Sequence, residues 1–334
     1  MTLRIHRAER ADRLAEVLAD LLAGAPPGGD PFTPEVVSVP TRGVERWLAQ
    51  TLSGRLGVTP GRGDGVCANV EFPFPGVLVG RAVAAATGLD AATDPWAPER
   101  SVWPLLDVVE RDLGEGWLGQ LAAHIGPGDG EGRGDERRQR RLAAVRHVAD
   151  LFDRYGVHRP AMLRRWVAGD DVDADGRPLP ADVAWQAELW RRLRAALDLE
   201  SPAERLARAC GRLEDDPAAT DLPGRLSLFG LTRLPASHLD VLHALGAGRD
   251  VHLFLLHPSP ALWDRLAPSP AAAPAGGLPR RRSDPTATAA RNPLLATWGR
   301  DAREMQLVLT GGPPPAADEH HEVAPAPATL LGLL

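Results

Sequence analysis

The sequence predicts an α/β protein with a parallel sheet and a large, all-helical insertion. Three observations carry that expectation. Val36 to Val39 is a short β-branched run that passes through a tight turn into an amphipathic helix. Leu226 to Leu231 and Val251 to Leu256 are apolar runs flanking one helical segment, Pro235 to Leu245. A one-helix crossover of that kind joins parallel strands whose two faces are both covered. Between these regions, residues 76–218 carry helical periodicity alone, with a break at Gly126–Gly134. The simplest assembly places the three strands in one sheet. It divides the chain into 1–60, the first part of the α/β core; 61–220, the helical insertion; 221–310, the second part of the core; and 311–334, a Pro-rich segment.

Arg13 to Ala23 opens the chain as a helix, with Leu14, Val17, Leu18, Leu21 and Leu22 on one face and Gly24 as its stop. After a Pro/Gly-rich loop and the 36–39 strand, Thr41 leads into a helix whose inner face is Val44, Trp47, Leu48 and Leu52. Asn69 to Pro75 is too proline-dense for a helix or strand, so it should present Phe72 and Phe74 from an extended loop. Further helices are marked by Val102, Leu105, Leu106 and Val109, and by Leu142, Val145, Ala149, Phe152 and Tyr155. Another carries Trp185, Leu189, Leu193 and Leu197, with Asp182 as its expected cap. Ser201-Pro202-Ala203-Glu204 is a capping box with Pro at the first helical position. Residues 258–290 read as a loop. Asn292-Pro293 caps a last helix carrying Leu294, Trp298, Met305 and Leu309. Residues 311–328 read as irregular, and Leu330 to Leu334 as the start of an element that is cut short, so the chain is expected to be a fragment that does not fold alone.

Composition excludes several chemistries. The chain has 334 residues and a net charge of −6, so no global basic field calls for nucleic acid. Its 38 basic residues are all Arg. A P-loop ATPase, a nuclease that pairs two acids with a Lys, and a Schiff-base enzyme each need a lysine that this sequence lacks. Cys67 and Cys210 are too few for a disulfide framework or a cysteine-based zinc site. Residues 1–10 lack the apolar core of a secretory signal, and no run approaches a membrane span, so a cytoplasmic protein is expected.

The turn Pro40-Thr41-Arg42-Gly43-Val44-Glu45-Arg46 sits where a P-loop would sit, yet has one glycine and no lysine. Thr41 can cap the helix, whose free N–H groups suit a backbone phosphate; a plain strand-to-helix turn is the bland alternative. Phe229 to Arg233, at the end of a later strand, offers no carboxylate for Mg²⁺. Both halves of an ATP site are missing together, so no nucleotide site is expected in the core. Asp150 and Asp153 lie one helical turn apart, off the apolar stripe, and either accept from base edges or form a solvated face. Arg137 to Arg141, Arg164-Arg165, Arg191 to Arg194 and Arg280 to Arg282 are Arg clusters, with Trp166, Trp185 and Trp190 interleaved. Arg with exposed aromatics grips single strands; helix-face Arg with core Trp is the alternative. His320-His321 reads as solvated, and no metal site is expected.

The sequence is similar to the N-terminal part of the RecC family, the gamma subunits of bacterial exodeoxyribonuclease V. The similarity rests on Asp30-Pro31-Phe32, Thr41-Arg42-Gly43 with Trp47-Leu48, Asn69 to Pro75, and Asp150-Leu151-Phe152-Asp153 with Arg159-Pro160. It continues through Trp185-Gln186 with Leu189-Trp190, Phe229-Gly230 with Leu234-Pro235, and Asn292 to Leu295 with Trp298-Gly299. The resemblance implies a non-catalytic, helicase-like subunit acting in double-strand break repair, its core P-loop-NTPase-like, of the helicase domain 1A kind without the ATP site, and its helical insertion of the domain 1B kind. Its partners would be RecB-like and RecD-like subunits, which carry ATP, Mg and the motors, with the nuclease on RecB. It would split duplex ends, channel the 3′ strand and scan it for Chi. The implied DNA-binding residues are Thr41, Arg42, Arg46, Phe74, Asp150, Leu151, Asp153 and Arg159. Pro40 and Arg46 stand where some relatives carry amides that suit base reading, so the sequence read can differ. A protein-binding helical scaffold and an active ATP-dependent helicase subunit are the other two readings; the missing lysine opposes the second.

Overall fold

The computed structural model describes residues 3–24, 30, 32–59, 61–90, 92–126, 134–257, 259–266 and 284–323. Leu330 to Leu334 and Arg280 to Arg282 lie outside the described residues. In chain order the elements begin β1 (Leu3–Ala8), α1 (Ala11–Ala23), β2 (Glu35–Ser38), α2 (Arg42–Ser53), β3 (Val70–Glu71) and α3 (Pro75–Thr87). Six helices follow: α4 (Pro98–Arg111), α5 (Gly119–Ile125), α6 (Gly134–His158), α7 (Pro160–Val167), α8 (Trp185–Leu197) and α9 (Pro202–Asp215). The chain continues through β4 (Arg225–Phe229), α10 (Ala236–Leu245), β5 (Asp250–Leu256), α11 (Pro260–Leu266), α12 (Pro293–Thr297), α13 (Arg300–Gly311) and β6 (Ala317–His320).

The strands form one six-stranded sheet in the order β3-β2-β4-β5-β1-β6. Every pairing is parallel. The three anticipated strands are its neighbours β2, β4 and β5. The described residues divide into two compact units, one drawn from the segments before Ala82 and after Gly211, the other being Val83–Cys210. In the α/β unit, Leu14, Leu18, Leu48 and Leu52 of α1 and α2 bury against Val37, Val39, Phe229 and Phe254. In the helical unit, Val102, Leu105, Phe152, Leu163, Trp166, Trp190 and Leu193 form the core.

Several expectations are corrected. Residues 1–10 carried no strand in the sequence reading, yet β1 runs between β5 and β6. Its pattern is disguised because the buried Arg7 and His6 sit among its apolar residues. Arg7 is held by Asp318 and Gln306, so its burial is compensated. The expected irregular stretches at 69–75 and 311–328 each contain a short strand, β3 and β6. Both are edge strands, built by register with a neighbour rather than by their own composition. Asp182 does not cap α8; Ala184 occupies that position without a side-chain bond. The expected last helix is two, because the chain turns at Trp298-Gly299. A side chain at Gly299 would meet the Leu295 carbonyl at 2.7 Å. The Ser201–Glu204 box forms as expected, with Ser201 N–H donating to Glu204 and Glu204 N–H to Ser201 Oγ.

Trp166 and Trp190 are 1 % and 2 % exposed, so they are core and not a stacking platform for bases. Their indoles fill the inward face of α7 and α8, with Trp190 packed on Trp96 and Phe152. The Arg residues around them are taken up by acids. Arg191 pairs with Asp171 and Glu188, Arg192 with Glu188 and Asp112, and Arg194 with Glu204. His321 is not solvated either: its ring meets His6 of β1.

Candidate nucleic-acid interface

Four of the predicted contact residues gather where β2 ends. Val39 N–H donates to the Pro73 carbonyl, tying the strand end to the proline-rich loop. Thr41 has extended backbone (φ −150°) and its Oγ1 accepts from Val44 N–H at 3.2 Å, the N-cap of α2. Arg42 and Arg46, one turn apart, project from the same face of that helix. The Arg42 guanidinium lies 5.5 Å from the centre of the Phe74 ring, a cation–π pair. Phe74 is 39 % exposed, so its ring has a free face. Arg42 also pairs with Glu45 at 2.8 Å. An exposed ion pair is weak, so this guanidinium can exchange its partner for a phosphate. Arg46 is exposed and has no ion pair among the described residues.

The end of β4 lies beside this helix. Gly230 closes the strand with φ +71°, and a side chain there would reach Val44. Beyond it, Arg233 pairs with Asp301 at 3.1 Å and Glu304 at 3.6 Å. Trp47, expected on the inner face of α2, is instead partly exposed at its edge and leans on Phe229 at 6.0 Å between centroids.

The other four predicted residues belong to the helical unit. Asp150 and Asp153 are exposed near the end of α6, and Leu151 is half-buried. Although Asp153 reaches solvent, its carboxyl is partly desolvated; that, and then the nearby Asp150 and Glu99 carboxylates, push it above the ordinary range. Arg159 sits between α6 and α7, its backbone N–H donating to the Tyr155 carbonyl at 2.8 Å. Its guanidinium lies 5.5 Å from the Tyr155 ring centre. That ring is fixed in turn, its hydroxyl 3.1 Å from Gln186 Oε1 and its edge against Trp166. Each unit thus offers an Arg stacked on a partly exposed aromatic.

Three large exposed aromatics, Phe32, Trp103 and Trp298, were not among the expected contact residues, and Trp298, expected to mark the last helix, stands almost wholly in solvent. Trp103 could have been found, since it falls off the Val102–Leu105–Val109 stripe of α4 by one residue. Phe32 could not, because its loop is held by Asn69, whose side-chain amide donates to the Phe32 and Thr33 carbonyls from a distant segment.

The comparisons with known proteins agree with one another. The family model described as RecC, N-terminal domain, matches residues 3–334. The chain is 45 % identical to the RecBCD enzyme subunit RecC of Mycobacterium tuberculosis, aligning over all of this chain and 29 % of that protein. The same subunit of Mycolicibacterium smegmatis is also 45 % identical, across all of this chain and 28 % of its own length. That of Escherichia coli is 28 % identical over 92 % of this chain and 28 % of its own. The chain therefore spans less than a third of the length of these relatives.

Proposed function

The chain belongs to the family of the RecC N-terminal domain, and from that premise we propose that it holds DNA within an exodeoxyribonuclease V complex without itself performing the chemistry. The observation that carries this reading is the Arg42–Phe74 pair beside the exposed Arg46, at the carboxyl end of β2. Parallel sheets take their ligands at the carboxyl ends of their strands. A guanidinium together with an aromatic face holds one backbone phosphate and one base of a single strand.

In this reading the sheet is a helicase-like core of the P-loop kind that has lost its nucleotide site, and residues 83–210 are its helical insertion. The 40–46 turn has one glycine and the chain has no lysine to offset a γ-phosphate. RecB-like and RecD-like subunits supply ATP, Mg and nuclease activity, and this chain guides the 3′ strand and contributes to Chi scanning in the cytoplasm. Because Arg191, Arg192 and Arg194 are ion-paired, the DNA contact proposed in the helical unit rests on Arg159 and the Asp150–Asp153 turn.

The test uses the assembled complex with Arg42, Arg46 and Arg159 each changed to Ala, and all three together. Each lost phosphate contact lowers the salt slope of single-strand binding by roughly 0.7. A lost base-edge contact costs about 1–3 kcal/mol and changes sequence preference instead. Unchanged affinity and unchanged salt slope in the triple variant overturn the assignment.

A further inference from the structure

We propose that His6, Glu319 and His321 form a binding site for a divalent transition-metal ion of the zinc class, fastening the edge strand β6 to β1. The register builds the site. His6 pairs directly with Glu319 across the β1–β6 ladder. Side chains alternate along a strand, so Glu319 and His321 point to the same face as His6. The His321 backbone N–H donates to the Arg7 carbonyl at 2.7 Å, extending the ladder one residue past the strand. One donor atom from each of the three side chains falls within 4.8 Å of the other two.

The donor geometry is already close to that of a bound ion. His6 Nδ1 lies 3.1 Å from His321 Nε2. Two imidazole nitrogens on a tetrahedral zinc, each at about 2.0–2.1 Å from the metal, lie about 3.3 Å apart. His252 supports the arrangement from β5: its Nδ1 is 3.0 Å from His6 Nε2. When His6 donates from Nε2 to His252, its Nδ1 keeps a lone pair facing His321 and Glu319. A partner on the far nitrogen is what orients and tunes a metal-bound histidine. The His6 ring is 8 % exposed and stacked on Phe254 and His321, which fixes its plane.

The same strand pair is held from its other face. Arg7 makes two bonds to Asp318 and one to Gln306, so β6 is positioned before any ion binds. Arg4 acts on His6 and Arg13 on His321, Arg225 acts on His252 behind them, and the Glu319 carboxylate offsets the first two. Two imidazoles and one carboxylate select zinc, cobalt or nickel over Mg²⁺ or Ca²⁺, which prefer all-oxygen shells. Three protein donors leave a fourth position for water. Glu319 is exposed and His321 partly so, which gives the ion a path from solvent.

The experiment is a zinc titration of the tag-free full chain, stripped of metal, against a chromogenic chelator, repeated with Co²⁺ to read the d–d spectrum. One zinc per chain and a tetrahedral Co²⁺ spectrum are expected. His321→Ala and Glu319→Gln, both at the sheet edge, should each weaken binding by at least about tenfold; His252→Ala should weaken it 10–100-fold. His320→Ala, on the opposite face, should leave it unchanged. No stoichiometric zinc in the stripped protein, or binding insensitive to His321→Ala and Glu319→Gln, overturns the proposal. Loss of binding in His320→Ala equal to that in His321→Ala overturns it as well.

Discussion

Arg225 offers a sharp test of how the α/β unit is held together. It opens β4, is buried, and makes a bidentate pair with Glu35 of β2. The same guanidinium donates to the Leu21 carbonyl at 2.8 Å, which also accepts from Gly24 N–H, and to the Gly24 carbonyl at 3.2 Å, at the C-terminal end of α1. Arg225→Met removes all four bonds at once and strands the largely buried Glu35 carboxylate. Removing one partner of a buried pair costs roughly 3–5 kcal/mol, because the remaining charge is uncompensated. Glu35→Leu alone should cost less, since Arg225 keeps its two carbonyl acceptors. The double variant should recover to within about 1–2 kcal/mol of the parent, because apolar groups of similar size replace both charges, and the Leu21 carbonyl keeps its bond from Gly24 N–H while the Gly24 carbonyl loses the Arg225 donor. Hydrogen exchange of the β2 and β4 amides measures this locally, which avoids treating two compact units as one transition. A double variant no more protected than Arg225→Met, or an Arg225→Met loss under about 1 kcal/mol, would refute the reasoning.

Two further outcomes are expected. Trp190→Ala should destabilise the helical unit by about 3–5 kcal/mol, because it empties the space between Trp96 and Phe152, whereas Trp298→Ala, 89 % exposed, should change stability by less than about 0.5 kcal/mol; chemical denaturation followed by tryptophan fluorescence compares the two, and equal effects contradict the core assignment. His257 is buried with Arg7, His320, Asp318 and Asp264 acting on it, and desolvation depresses it to about 4 from 6.5. Its unfolded form binds the extra proton first, so stability is full above pH 6.5 and falls as pH drops towards 4, by on the order of 3 kcal/mol for this group. His257→Phe should flatten that part of the stability-versus-pH curve, and an unaltered curve would show that His257 does not titrate there.

The local features were legible because their causes lie within a few residues. The Thr41 cap, the Ser201–Glu204 box and the stripes of α1, α2 and α4 follow from spacing along one turn of helix. Three of the four inner strands, β2, β4 and β5, were legible because both of their faces are buried, which leaves a nearly continuous apolar run. Part of the proposed contact set could be placed together in the same way, since Thr41, Arg42 and Arg46 share one helix start.

What the tertiary structure decided lies between distant segments. β1 and β6 carry buried charge that only makes sense once Arg7 meets Asp318 and Gln306, and His6 meets His321, 315 positions away. The interleaved Trp and Arg of the helical segment were equally compatible with a stacking platform and with a core, because composition does not say which face of a helix is covered. Packing decided it, turning Trp166 and Trp190 inward and placing acids beside Arg191 and Arg192. Phe74 and Arg42 were both visible in the sequence, but their stacking depends on Val39 N–H finding the Pro73 carbonyl. Hydrophobic periodicity reports the environment of a segment averaged over its length, whereas a buried charge or a donor cluster depends on one partner whose position only the folded sheet sets.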